Sequence, residues 1–370
     1  MIERAPALTE AGAGLQLSPN GGAVLDALGL GDAVAGAGAP SRAVTLLSGR
    51  TGRRVARAPL HAPRGMPPHR PLHRADLVAI LAGAAREAGA SVRLGVAAES
   101  ARSGAGTAQG RAALTLSDGT LLSPDLLVGA DGIRSAVRGA LGERAPAAFA
   151  GQVAWRALVP GAGAEPAAGG GEGPAIHLFP GRHVVAYPLR GGALVNLVAV
   201  AERGDWAEEG WHHADDPANL HAAFPEASPG LAALLGRVEA CALWGLFRHP
   251  PARRFGAGRI ALLGDAAHPT LPFLGQGANL AIEDAWVLAA ETDLPGPLPL
   301  ALERYTARRR PRAVRALAAA ERNGRDYHLG GVRGRAAHAA LGLASAAAPW
   351  ILSRRYAWLH GHDVTAEGGG

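Results

Sequence analysis

Residues 259–284 read Arg259-Ile260-Ala261-Leu262-Leu263-Gly264-Asp265-Ala266-Ala267-His268-Pro269-Thr270-Leu271-Pro272-Phe273-Leu274-Gly275-Gln276-Gly277-Ala278-Asn279-Leu280-Ala281-Ile282-Glu283-Asp284. Residues 260–263 are a short unbroken apolar run, the pattern of a strand buried on both faces. Gly264 and Asp265 end it, and Ala266 and Ala267 are small enough to let another group approach the backbone. A loop punctuated by Pro and Gly follows, over 269–277. A helix pattern then begins, with apolar Leu280, Ile282, Trp286, Val287 and Leu288 and with Glu283 and Asp284 in its early turns, where acids complement the helix dipole. The order is strand, acid at the strand's C-terminal end, loop, helix N-terminus. Open α/β sheets hold their ligands at that place. The free N–H groups of a helix N-terminus suit an anion or a carbonyl gaining negative charge.

The stretch resembles the GDAAHxxxPxxGQGxNxxxED motif of the FAD-dependent aromatic hydroxylases, the single-component flavoprotein monooxygenases. The resemblance implies an α/β protein. Its Rossmann-like FAD-binding domain would cover 1–42, 72–150 and 251–297, and a mainly antiparallel β-sheet substrate domain would cover 43–71 and 151–250. A C-terminal helical segment, 298–370, completes the expected order. By the same resemblance Asp265 holds the ribityl chain of FAD. The backbone of Gly277, Ala278 and Asn279 faces the flavin's pyrimidine carbonyl, and Pro272 lies beside the reacting edge of the ring. The plain alternative is a buried strand and a helix with no ligand.

The 370 residues suffice for two domains. A hydrophobic content of 48% beside 18% charge is that of a globular chain, and no run of eighteen apolar residues offers a membrane span. The N-terminus lacks the apolar core of a secretion signal. The single Cys241 excludes an internal disulfide, and together these point to a reducing cytoplasm. A net charge of +6 raises the question of nucleic acid. All 37 basic residues are Arg, however, beside 52 Gly and 27 Pro, the usage of a GC-rich genome. The dense run Arg308-Arg309-Arg310-Pro311-Arg312 reads as a solvated helix face, so neither a nucleic acid nor a membrane is expected as a partner.

Taken from its start, the chain shows Glu3-Arg4-Ala5-Pro6, which resembles the end of the second strand of an FAD-binding fold. Glu3 then matches the acid on the ribose hydroxyls, with Arg4 beside it. The βα unit of about 30 residues that carries the G-x-G-x-x-G turn does not precede it. Two partial glycine patterns, at Gly12-Ala-Gly14 and at 256–261, have no strand before them and are decoys. Residues 12–20 match the GAGIQLSPN-type segment of the salicylate and 3-hydroxybenzoate hydroxylase branch. A helix follows with Val24, Leu25 and Leu28 on one face. Two strands are expected within 43–60, and a helix from Leu72 to Ala88 with Asp76 in its first turn. Arg74 matches the Arg of an HRxxL segment that contacts the cofactor's phosphates or ribityl. Further strands are expected at 92–96 and 112–116. A strand at 125–129 runs into Asp131-Gly132, with a helix near Ser135, and matches the family's DGxxSxxR motif for FAD and nicotinamide cofactor handling.

From 151 to 250 short alternating segments with Gly and Pro turns indicate an antiparallel sheet. There Arg182-His183-Val-Val-Ala-Tyr187-Pro188 puts His183 and Tyr187 on one face of a strand, ~13 Å apart along it. The 3-hydroxybenzoate 6-hydroxylase and 6-hydroxynicotinate hydroxylase branch carries a catalytic His and Tyr at this spacing. The alternative is a structural pair at a sheet edge.

The resemblance implies that NADH or NADPH reduces FAD, that O2 adds to the flavin as a hydroperoxide, and that the distal oxygen passes to a small phenolic or heteroaromatic acid. The phenol must lose a proton, and His183 is the expected base because its ordinary pKa lies near neutrality. Tyr187 and Gln276 would hold the substrate's oxygen atoms. A ring carboxylate calls for an Arg that the sequence does not single out. A homodimer is left open. A remnant that binds FAD poorly, and a flavin oxidase or epoxidase, are the competing readings.

Overall fold

The run that opens the deciding stretch forms the strand Ile260–Leu262, whose three residues are all fully buried. It pairs in parallel with Leu127–Gly129 on one side and antiparallel with Gly256–Ala257 on the other. Both parallel strands end in the expected turns. Gly264 takes φ +58°, which favours glycine, and a Cβ there would come within 3.0 Å of the Ala281 Cβ. The helix Gly277–Asp293 then leaves the loop. The computed structural model describes residues 1–8, 14–103, 110–143, 146–164, 167–205 and 213–366. Gly12 lies outside them.

The second body is an eight-stranded sheet. Its order is His213–Asp215, Cys241–Arg248, Ala148–Pro160, Leu194–Glu202, Arg182–Leu189, Ala175–Phe179, Ala43–Ser48 and Arg54–Pro59. Every neighbouring pair is antiparallel except Ala175–Phe179 with Ala43–Ser48. Alternation sorts its residues cleanly. Trp155, Ala157, Val184, Ala186, Val195, Leu197 and Leu243 face a core closed by Leu220, Phe224, Leu231 and Leu234 of two short helices. The opposite face meets Leu271 and Phe273 of the loop that follows Asp265. The antiparallel pair Gly14–Leu17 and Arg70–His73 lies at one end of that face.

The helix Leu298–Tyr327 spans thirty residues and passes through Pro311. Its packing corrects the reading of the Arg run as a solvated face. Arg309 is 1% exposed and fully paired inside the protein: its Nε donates to Asp284 Oδ1 at 2.7 Å and its Nη2 lies 2.7 Å from Glu283 Oε2. Arg312 donates to both Glu283 oxygens, Arg308 pairs with Glu291, and Arg310 donates to the Ala252 carbonyl. Glu283 and Asp284 are therefore not dipole acids at a solvated helix start. They are buried anchors for the next helix.

Smaller departures have local causes. The strand expected at 92–96 is a single parallel bridge between Ile2 and Arg93. Leu28, grouped with the buried face of its helix, is exposed because the helix ends at Ala27. Beyond Pro349 a new helix starts, Pro349–Arg354, as the break there required.

Candidate active site

Asp265 stands just past the strand Ile260–Leu262, half-buried, and its carboxylate accepts no hydrogen bond from the described residues. Burial raises its pKa, with His268 and Arg74 opposing the rise. A half-buried carboxylate without donors is costly unless something supplies them, and a polyol chain would. The helix Gly277–Asp293 begins beyond the intervening loop with no side chain capping its N-terminus and no acid in its first turn. Its first N–H groups, at Gly277, Ala278 and Asn279, are those a helix cannot satisfy internally. Arg74 opens the helix Arg74–Glu87 and influences both Asp265 and Tyr187 electrostatically. These residues fit the ribityl and pyrimidine part of FAD.

Other expected cofactor residues sit apart from this group. Glu3 accepts from the Ala5 N–H at 2.8 Å, and Arg4 is exposed. Asp131 accepts from Ser135 Oγ and from the Val137 N–H, so it caps the short helix Ala136–Ala140, while Gly132 takes φ +75°. Arg138, the last residue of the DGxxSxxR match, donates to the carbonyls of Glu143, Pro250 and Ala266. It ties the Asp131 turn to the Asp265 turn. Among the described residues no strand leads into a glycine-rich phosphate turn, so the fit covers the ribityl–pyrimidine end only.

Across the loop lies the sheet. His183, Tyr187, Asn196, Arg156 and Trp244 all project from the face that meets Leu271 and Phe273, because their neighbours in sequence fill the opposite core. Tyr187 is paired with Asn196 in register and Arg156 with Val198. Gly14 is pressed onto this group. Its N–H donates to Asn196 Oδ1 at 2.8 Å, and a Cβ there would fall 2.7 Å from the Tyr187 ring, which explains the glycine. Burial pushes Tyr187 up to about 12 against the opposing charges of Arg156 and Arg74, so it stays protonated at working pH. Arg156 lies over the Trp244 ring at 4.9 Å.

His183 is 1% exposed and packs against Phe273 and Tyr327, with ring centroids 5.7 and 5.1 Å away. Burial, then the adjacent His328, drive its pKa well below the ordinary value. It is a neutral imidazole, able to take a proton but not to keep one. His183 and Tyr187 share a face yet occupy separate surroundings. Gln276 is 2% exposed and its amide is used locally: it donates to Ser18 Oγ at 2.9 Å and accepts from Asn20 Nδ2 at 3.2 Å. Asn279 accepts from the Ser18 N–H and donates to the carbonyls of Gln16 and Gly275. Pro272 is exposed and opens the short 3-10 turn Pro272–Leu274. Asn196 and Arg156 join Tyr187 through the register between three strands, which alternation along any one strand does not give. No motif announced His328.

The two half-sites face one loop, one suited to a flavin and the other to a small polar aromatic, and this defines an FAD-dependent oxidoreductase of the aromatic-hydroxylase class. Residues 1–320 match the family described as FAD binding domain, and the chain belongs to that family. It is 37% identical over 339 residues to 3-amino-4-hydroxybenzoate 2-monooxygenase of Streptomyces cremeus, covering 89% of this chain and 81% of that protein. It is 32% identical to 3-hydroxybenzoate 6-hydroxylase 1 of Aquipseudomonas alcaligenes, covering 85% and 79%. A salicylate hydroxylase substrate complex superposes with a TM-score of 0.80 at 24% identity, over 96% of this chain and 89% of that one. That last likeness concerns the fold alone.

Proposed function

We propose that the protein is an FAD-dependent monooxygenase that hydroxylates a small phenolic acid with NADH or NADPH and O2. The observation that carries the proposal is the pairing across one loop of Asp265 and an uncapped helix N-terminus with the face bearing His183, Tyr187, Asn196 and Arg156. In this reading the stretches 1–42, 72–150 and 251–297 hold the cofactor, and 43–71 with 151–250 hold the substrate. Relatives of 30% identity or more act, by their names, on hydroxylated benzoates.

When bound, FAD supplies the redox chemistry, taking electrons from the nicotinamide cofactor and delivering one atom of O2. The chain's own residues do the rest. Asp265 accepts from ribityl hydroxyls, and the N–H groups of Gly277, Ala278 and Asn279 point at a carbonyl whose negative charge they stabilise. His183 takes the phenolic proton, Tyr187 donates to a ring oxygen, and Arg156 is the Arg for a ring carboxylate.

Two outcomes check these roles. Asp265→Ala should lose most of its bound flavin, read from the visible spectrum of the purified protein, with little change in fold. Full flavin content and normal turnover would remove Asp265 from the site. Arg156→Ala should raise KM for a carboxylated phenol by roughly 10- to 100-fold, since hydrogen bonds to charged groups contribute about 1.5–3 kcal/mol. For the matching phenol without a carboxylate, KM should not change. An equal KM change for both substrates would place the carboxylate elsewhere.

A further inference from the structure

The face that carries His183 does not end at His183. Its Nδ1 lies 2.8 Å from His328 Nε2, and His328 Nδ1 lies 3.0 Å from Glu202 Oε1. The two imidazoles stand with centroids 5.0 Å apart. Three separate elements supply the line: the strand Arg182–Leu189, the residue that closes the helix Leu298–Tyr327, and the last residue of the strand Leu194–Glu202. Exposure rises along it, from His183 at 1% to 3% for the His328 side chain and 59% for that of Glu202. The line therefore leads from the sealed face to water.

We propose that His183, His328 and Glu202 form a proton relay that carries the substrate's phenolic proton from the closed site to solvent. This rests on the phenol-hydroxylating reading above. The tautomers follow from the partners: Glu202 as a carboxylate fixes the proton of His328 on Nδ1, leaving Nε2 to accept from His183 Nδ1–H. Gln152 Nε2 lies 3.2 Å from His328 Nδ1; with the proton on Nδ1 the Gln152 amide is turned over, so that its oxygen accepts in place of the nitrogen. In the forward direction the phenol O–H bond breaks and an N–H bond forms at His183 Nε2. The His183 Nδ1 proton passes to His328 Nε2, the His328 Nδ1 proton passes to Glu202, and Glu202 releases it to water. No electron moves. Both imidazoles are left as the other neutral tautomer, and reprotonation of the product oxygen along the same line restores them.

The surroundings favour transfer over storage. His183 and His328 are both lowered by burial, His328 less so because Glu202 opposes the effect. The hydroxyl of Tyr327, whose ring packs on His183, accepts from Asn323 Nδ2, and burial raises its pKa, so it holds its proton. Arg182, on the same strand, turns to the opposite face against Phe179 and Phe224. A weakly basic, sealed imidazole is useful as a base only if something relieves it of the proton, and His328 is the group in contact.

The test compares wild type with His328→Gln, which keeps a hydrogen bond but cannot shuttle by tautomer exchange, and with Glu202→Gln, an exposed change that should not affect folding. The probe is 3-hydroxybenzoate, followed by the absorbance change as bound phenol becomes phenolate and by the rate of hydroxylated product across pH. Both variants should slow phenolate formation about tenfold or more, below the 10²–10⁴ of losing the base itself. KM, melting temperature and the rate of flavin reduction should stay unchanged. Added imidazole should restore much of the rate to His328→Ala. Wild-type rates and an unshifted pH profile in a folded His328→Gln or Glu202→Gln would overturn the relay. If wild type forms the phenolate but no hydroxylated product, the functional reading fails, while the phenolate kinetics still decide the relay. A wild type that binds no phenol overturns both.

Discussion

His183→Gln should lower hydroxylated product by roughly 10²–10⁴, the range for loss of a general base, while oxidation of NADH or NADPH continues and its electrons leave as hydrogen peroxide. The glutamine matters. His183 fills space between Phe273 and Tyr327 and bonds to His328, so alanine would open a cavity and strand a buried nitrogen, mixing a stability loss of about 1–3 kcal/mol with the catalytic one. Glutamine fills much of that volume and keeps one hydrogen bond. The measurement is product formed per NAD(P)H consumed, with flavin content and melting temperature as controls. Normal hydroxylation, or simple unfolding, would leave His183 as a packing residue.

The largest structural effect is expected at Arg309. Arg309→Leu should destabilise the protein by about 3–5 kcal/mol, the cost of stripping one partner from a buried ionic group. Asp284 and Glu283 are both fully buried. The loss reaches the site because Asp284 also accepts from the Gly264 N–H at 3.0 Å and pairs with His268, so it fastens the turn that presents Asp265. Burial alone would raise the Asp284 carboxyl, but His268 and Arg309 outweigh it and hold it at about 2. A carboxyl depressed on folding adds stability that is present above its unfolded pKa, ~3.9. That stability is lost as pH falls through about 2. His268 is buried yet raised, because Asp284 overcomes the burial. Its contribution is full below its unfolded pKa of ~6.5 and is lost as pH rises through the higher folded value. Thermal melts at neutral pH and an acid titration check this together. The variant should melt lower, and its acid unfolding should begin at higher pH. An unchanged melt would show that Asp284 is held well enough by His268 alone.

Much of this was legible along the chain. The apolar run 260–263, the acid that ends it and the loop into a helix are local features with local causes, and they form as read. So do the Asp131 turn and the alternation that puts His183 and Tyr187 on one face. What could not be read was pairing across distance. The Arg run looked solvated because the carboxylates that pair with Arg309 and Arg312, Glu283 and Asp284, lie more than twenty positions earlier, on another helix. A signal was present, since Leu302, Tyr305, Arg309, Ala313, Ala316 and Ala320 recur at helical spacing and are all buried. Gln276 illustrates the other limit. A loop amide beside a helix start reads as a ligand contact, whereas its bonds run to Ser18 and Asn20, some 250 residues away in sequence.

In the proposed reaction one atom of O2 reaches the aromatic ring. The direct measurement uses isotopically labelled O2 with the FAD-loaded protein, NADH or NADPH and 3-hydroxybenzoate, followed by mass spectrometry of the aromatic product and of any hydrogen peroxide. One labelled oxygen on the ring is expected for each NAD(P)H consumed. Label found only in hydrogen peroxide, with the aromatic acid unchanged, would make the protein an oxidase and contradict it.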